Sequence, residues 1–349
     1  MSFSSLLSLA RTTEWSKLLR VRKVKRHVWE ELVSPHVIFR CVQTLLHAGF
    51  LDALREGPQS AEEYAANNDL NPELLRALCE ALYARRILTQ HGERFGLDET
   101  GRLIVTTNLG RGWMDLAHGY EPVLNNLEPL LRKQAAYGRE VVRDGEFVGV
   151  GSGLASLDFY FPLVANFIVA AKRRKVLDIG CGDGAFLRYL CSTFPQLEGI
   201  GIDLSSAAVE AGRRMIVQER LENVRLFVGD AMEIKNLTNE TAGVDCAATF
   251  FVLHELCDNR GNLRTLKFLQ SFREALPGVP FHVIETIRPT AREMRERPGP
   301  AVEYFLFHDL SEQHPISRGE WRKLFQSSGF QSIQEDHMAI ARTSIYTLA

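Results

Sequence analysis

A strand that runs directly into alternate glycines constrains this chain more than any other feature. "KVLDIGCGDGAF" (175–186) is an apolar run closed by Gly180, Gly182 and Gly184 and followed at once by helix-forming residues. Such a turn bends tightly, lets the backbone approach a ligand and offers N–H groups at the helix start. Position 185 is alanine, so the spacing is not the G-x-G-x-x-G of dinucleotide folds. Asp178 lies inside the motif, where it would repel a pyrophosphate, so a ligand with a cationic or amine-bearing end suits these residues better.

Strand and helix signals alternate beyond this point, the pattern of a parallel sheet covered by helices. "EGIGIDLS" (198–205) is a second strand ending in Asp203, placed to accept from ribose hydroxyls. "VRLFVGDAM" (224–232) ends in Asp230, which can accept from an adenine amino group. "GVDCAATFFVLHEL" (243–256) is the fourth strand, and it carries His254 and Glu255 just past its apolar run. A lone histidine there reads as a cap or a surface group. At the carboxyl end of a parallel strand, beside three acidic strand tips, it reads as functional.

The remainder of the chain frames this half. With 349 residues there is room for two domains, and 45% hydrophobic with 24% charged residues is ordinary for a soluble globular protein. A formal charge of -2 gives no case for nucleic acid or membrane partners. Six scattered cysteines without a CxxC pair fit a reducing compartment, and the N-terminus lacks a signal-peptide pattern, so a cytoplasmic protein is expected. Residues 1–35 form a helical arm with Arg20, Arg22, Lys23, Lys25 and Arg26, suited to an acidic surface or to a partner subunit.

Residues 36–110 show helices and a hairpin. "HVIFRCVQTLLHAGFLDAL" has helical periodicity, Ser60 with Glu63 makes a capping-box pattern, and Asn71-Pro72 starts a further helix. "ILTQHGERFGLDE" then reads as two short strands around His91-Gly92. The outline is that of a winged helix, but its third helix carries Glu73, Leu74, Leu75 and Glu80 rather than the cations or amides of a DNA reader. The module is therefore expected to dimerise or to cover a substrate. A DNA-binding regulator is the remote alternative. Residues 111–170 read as a helical linker and pocket lid, with "GVGSG" (149–153) as a flexible joint, and 171–349 as the ligand-binding domain.

"VLDIGCGDGAF", "GIGIDLS" and "GDAM" resemble the S-adenosylmethionine (SAM) motifs of class I methyltransferases. The whole chain is similar to the dimeric small-molecule O-methyltransferase family, a Rossmann-like α/β domain preceded by a mostly helical winged-helix-like dimerisation domain. The resemblance implies a homodimer that uses SAM. It implies methionine-carboxylate contacts near the glycine loop, ribose at Asp203 and adenine near Asp230 and Met232. The implied cofactor set is Asp178, Gly180, Cys181, Gly182, Gly184, Asp203, Leu204, Asp230, Ala231, Met232 and Phe251.

In that family the loop after the fourth strand usually reads "LHDW", with its histidine as general base; here it reads "LHEL", with His254 at the base position and Glu255 and Leu256 after it. Glu285 in "FHVIETIRP" matches the acid that orients the histidine. A second orienting acid is expected near "SEQHPISRGEW", where Pro315 falls near its place and Glu312 is a displaced candidate.

"EYFLFHDLSEQH" (303–314) adds a His308-Asp309 pair. Two branches of the superfamily then compete. The α-keto acid C-methyltransferases carry histidines at both points and hold iron with them, which implies His254 and His308 as metal ligands that polarise a 2-oxo acid toward its enol. The methylthiohydroxybutyrate S-methyltransferases share the domain plan and need only position a sulfur in line with the donor methyl. The expected substrate is a small-molecule carboxylate, a 2-oxo or 2-hydroxy acid. An O-methyltransferase of an aromatic or polyketide hydroxyl, with His254 as base, is the alternative. The residues expected at the substrate are Tyr160, His254, Arg288, His308 and Asp309, with His254, Glu285 and His308 as the catalytic set.

Overall fold

The computed structural model describes residues 15–257, 262–297 and 301–349; residues 1–14 of the expected arm lie outside them. The chain divides into two compact units, Met1–Gly110 and Arg111–Ala349. In the first, α1 (Trp15–Val24) passes through a π-helical stretch, Lys25–Val33, into α2 (Ser34–His47). The arm is thus continuous with the first helix of the unit, and Pro35, which has no N–H to give to the preceding turn, falls where the π-helical stretch hands over to α2. The apolar stripe of α2 is buried at Cys41, Val42, Leu45 and Leu46.

Two capped helices follow. Ser60 accepts from the Glu63 N–H at 3.3 Å at the start of α3 (Ala61–Asn67), but the Glu63 carboxylate accepts from Arg94 instead of returning to the cap. Half of the expected capping box is therefore present. Asn71 caps α4 (Pro72–Ala84) by accepting from Leu74 N–H at 3.0 Å. A small antiparallel sheet completes the unit, in the order β1 (Gln59–Ser60), β3 (Arg94–Leu97), β2 (Leu88–His91).

The second unit is built on a seven-stranded sheet in the order β6-β5-β4-β7-β8-β10-β9. Its strands are β4 (Lys175–Ile179), β5 (Glu198–Asp203), β6 (Val224–Val228), β7 (Cys246–Phe250), β8 (Phe281–Thr286), β9 (Ile333–Met338) and β10 (Thr343–Leu348). The first five pair in parallel, and β10 closes antiparallel on β8 and β9. The order reverses at β4, which lies between β5 and β7, and ligands bind at the carboxyl ends of strands flanking such a switch.

Both faces of the sheet's centre are covered, so β4, β7 and β8 are buried along almost their whole length. Leu177, Ile179 and Val283 face Phe268, Phe272, Trp321 and Phe325. Val176, Ala248 and Ile284 face Phe161, Val164, Ile168 and Leu190.

The glycine cluster at 149–153 is not a joint. It lies inside the helix Gly145–Leu157, which crosses the helix Asn108–Gly119. A Cβ on Gly151 would stand 2.5 Å from Leu116 N and 2.7 Å from Gly112 O, and one on Gly112 would stand 2.6 Å from Gly151 O. These glycines let two helix backbones touch. Among the described residues no single helix is long and apolar enough to cross a membrane.

Candidate active site

The carboxyl edge of the sheet is assembled from local signals. After β4 the chain turns through Gly180, Gly182 and Gly184, all with positive φ. The Gly180 N–H donates to Ile202 O at 2.8 Å, which ties the turn to β5. A side chain on Gly180 would stand 2.6 Å from a methyl of Val252, whereas one on Gly182 would project into open space. The loop is thus tight on one side and open on the other.

Asp203, at the tip of β5, accepts from Gly182 N–H and Ser205 N–H, each at 2.8 Å. Those bonds fix its carboxylate beside the loop and leave lone pairs for hydroxyl groups. Leu204 follows with 71% of its surface exposed, an apolar flank at a strand tip. Asp230 accepts from Met232 N–H at 2.8 Å and starts the turn that carries Ala231 and Met232.

Asp178 completes this edge. It is 3% exposed, and its Oδ1 has no hydrogen-bond partner. Burial, then the charges of Asp203 and Asp183, push its carboxyl up to about 8. An orphaned buried carboxylate in an acidic pocket is the complement of a ligand with an ammonium and a sulfonium, which is what SAM carries. With its carboxyl near 8 the free chain holds this proton at neutral pH, and a ligand that brings an ammonium or a sulfonium against it is expected to expel it. SAM binding at pH 7 is expected to release about one proton, and affinity to rise with pH and level off above about 8. Calorimetry in two buffers of different ionisation heat measures the release; equal heats in both would contradict the assignment.

The histidines stand on the same edge. Phe251, just past β7, has φ 59°, a left-handed conformation uncommon for a bulky residue. The chain turns there through Val252 into the short helical turn Leu253–Leu256, which carries His254. Glu285, on β8 and fully buried, accepts from His254 Nδ1 at 2.8 Å and from Leu253 N–H at 2.7 Å. Burial disfavours the His254 imidazolium, but the Glu285 carboxylate outweighs it and the pKa is raised overall.

His308 comes from the helix Ala301–Leu310 and lies 4.8 Å from the His254 ring, centroid to centroid. Its Nδ1 bonds to the carbonyl of Tyr304 at 2.6 Å, and the Tyr304 ring stands 4.3 Å away. Burial, reinforced by His254, holds the His308 pKa well below the usual imidazole range. Both rings are oriented through Nδ1, and no hydrogen bond from the described residues engages either Nε2.

The other expected residues are placed as follows. Tyr160 is held through its hydroxyl to Thr343 Oγ1 at 3.0 Å and packs edge-on against Phe251 at 5.2 Å. Arg288 and Asp309 engage each other in a two-bonded pair at 2.7 and 2.6 Å. Glu312 is exposed, so Glu285 is the carboxylate recorded on His254. Among the described residues no group of three or more histidine, cysteine or acidic side chains is gathered for a metal.

Arg143, Gln313 and Tyr304 join the site without any sequence signal. Arg143 Nη2 donates to Glu255 Oε1 at 2.7 Å and its Nη1 to the Tyr120 hydroxyl at 3.1 Å. Gln313 donates to the same Glu255 oxygen at 2.6 Å.

Known proteins share this fold. A methyltransferase-domain profile matches residues 176–275, which run from β4 through the His254 turn. The 2-ketoarginine methyltransferase of Streptomyces arginensis is 26% identical over 313 residues, 86% of this chain and 88% of that protein. The indolepyruvate C-methyltransferase of Streptomyces griseus is 29% identical over 208 residues, 58% of this chain and 60% of that one. Human N-acetylserotonin methyltransferase in complex with SAM superposes with TM-score 0.69 at 16% identity, covering 93% of this chain and 96% of the other. A mitomycin 7-O-methyltransferase superposes with TM-score 0.65 at 17% identity over 95% and 99%. The chain is a SAM-dependent methyltransferase with the class I fold. Its cofactor is SAM.

Proposed function

We propose that this methyltransferase moves the methyl group to the carbon next to the oxo group of a 2-oxo acid. The observation that carries the reading is the pair of buried imidazoles, His254 and His308, driven to opposite protonation preferences 4.8 Å apart. Divergent neighbours of this kind identify an acid and a base. The names of the two Streptomyces relatives, both 2-oxo acid methyltransferases, support the same substrate class.

The roles follow from the tautomers. His254 keeps its Nδ1 proton toward Glu285 and, as an imidazolium, presents Nε2–H to the substrate oxo oxygen. His308, neutral with its Nδ1 proton on the Tyr304 carbonyl, presents the Nε2 lone pair that takes the proton from C3. SAM, when bound, supplies an electrophilic methyl and leaves as a neutral thioether. The nucleophilic carbon is thus made between two residues of the chain and held in line by the aromatic wall of Tyr160 and Phe251.

A second reading rests on the anchoring of both rings through Nδ1, which frees two Nε2 atoms as a metal donor set. His254 and His308 would hold an iron, with the substrate's own oxygens completing its shell. The iron would supply Lewis-acid polarisation of the oxo group. Elemental analysis of the purified chain and of its His254→Ala and His308→Ala variants tests this: stoichiometric iron lost in both supports it, and no metal in the active wild type removes it.

The reaction itself is tested with methyl-labelled SAM and a panel of 2-oxo acids, 2-hydroxy acids and phenols, with and without iron. The expected product carries the label on carbon, and both histidine variants keep SAM affinity while losing turnover. Label on a phenol oxygen, or normal turnover in both variants, would overturn the proposal.

The same reading has the chain act as a homodimer through its 36–110 module, which sedimentation would test. All six cysteines are buried and none is in a disulfide, which supports a cytoplasmic setting.

A further inference from the structure

The expected anchor for a substrate carboxylate, Arg288, is already neutralised. Both of its terminal nitrogens lie on Asp309, and its guanidinium rests 5.8 Å over the Phe305 ring. Arg143 likewise lies over a ring, that of Tyr120 at 5.9 Å, but differs in its hydrogen bonds. Its side chain is 20% exposed, reaches the edge of the site without being spent on a bidentate pair, and has one terminal nitrogen on a neutral hydroxyl, that of Tyr120. Its one charged hydrogen-bond partner among the described residues, Glu255, shares the accepting oxygen with Gln313, so a single carboxylate oxygen faces two donors.

A guanidinium has five donors, and these contacts use two of them. Glu255 follows His254 in the chain, and the Arg143 charge acts on both histidines. Tyr120 stacks on Phe307 at 4.5 Å, and Phe307 precedes His308. Arg143 is therefore held by residues that adjoin each catalytic ring, in a fixed orientation, with donor capacity to spare.

We propose that Arg143 is the specificity-determining residue that receives the substrate's C1 carboxylate, so that the site selects 2-oxo acid anions over neutral 2-oxo compounds. This rests on the 2-oxo acid reading above. Tyr120 and Glu255 set the plane of the guanidinium. The incoming carboxylate takes the remaining donors, and its position fixes the 2-oxo group against His254. A guanidinium does this better than an ammonium because its planar fork matches a carboxylate.

The test compares acid with primary amide, using indolepyruvate, 2-ketoarginine or whichever other 2-oxo acid of the panel the wild-type chain methylates. Arg143→Gln and Arg143→Lys are measured beside wild type, with SAM affinity and thermal melting recorded for each. The proposal expects Arg143→Gln to raise KM for the acid about 100-fold, with the acid-to-amide preference collapsing and SAM affinity unchanged. Arg143→Lys, which keeps the charge and the packing, falls between the two and covers the case in which the glutamine variant does not fold. An acid-to-amide ratio equal to wild type in a folded variant overturns the assignment of Arg143 and leaves the 2-oxo acid reading standing. A wild-type chain that methylates no 2-oxo acid of the panel overturns both.

Discussion

Glu285→Gln is expected to lower turnover by about three to four orders of magnitude while leaving SAM affinity within about twofold. The amide fills the same volume, so the fold is kept, but it no longer enforces a proton on His254 Nδ1. With an NH2 group facing the ring, His254 adopts the tautomer in which Nε2 carries the single proton and cannot become the favoured cation. Glu285 is also what raises the His254 pKa against the pull of burial. Removing it lowers that pKa, so the alkaline limb of the pH–rate profile, where His254 loses its proton, moves to lower pH. A profile that keeps its limb, with turnover intact, would show that the carboxylate serves the fold alone. Glu285→Ala tests that structural part: it strands the Leu253 N–H and opens a cavity, and about 3–5 kcal/mol of stability should go with it.

Gly180→Ala should do comparable damage by a different route. At φ 70° an alanine costs about 1–2 kcal/mol in backbone strain alone. Its methyl then meets Val252, 2.6 Å away, two residues before His254. Both stability and turnover should fall, by about 2–4 kcal/mol in the unfolding free energy. Gly182→Ala is the matched control. It bears similar strain at φ 55° with nothing within 4 Å of the new carbon, so its stability loss stays near the strain term and its effect concentrates on SAM affinity. Chemical denaturation and SAM titration of the two variants separate the clash from the strain. Equal stability losses would remove the Val252 contact from the account.

The glycine turn and the acidic strand tips were legible in the sequence because their signals are local. A strand, a tight turn and a helix start occupy one continuous stretch at 175–186, and acids at 203 and 230 fall at strand tips that apolar runs mark unaided. His254 was legible for the same reason, just past its own strand, whereas Glu285 was read from the family resemblance. The Arg143 network was not, because it joins positions 120, 143, 255 and 313, and no local pattern links them. Tyr304 contributes a backbone carbonyl to His308, a role any residue type can fill. The 149–153 glycines carried a real signal with two physical readings, freedom or close approach. Only the crossing with Gly112 decides between them.

Cys181 sits in the glycine loop of an enzyme that handles an alkylating agent. A thiolate in that place would be a competing nucleophile, open to irreversible self-methylation. Its sulfur is turned inward instead, against the space that a Gly201 side chain would fill. Burial, then the charges of Asp178, Asp203 and Asp183, keep the thiol protonated well above its ordinary range. The acids expected to face the sulfonium are thus the same ones that keep the loop's own thiol in its unreactive, protonated form.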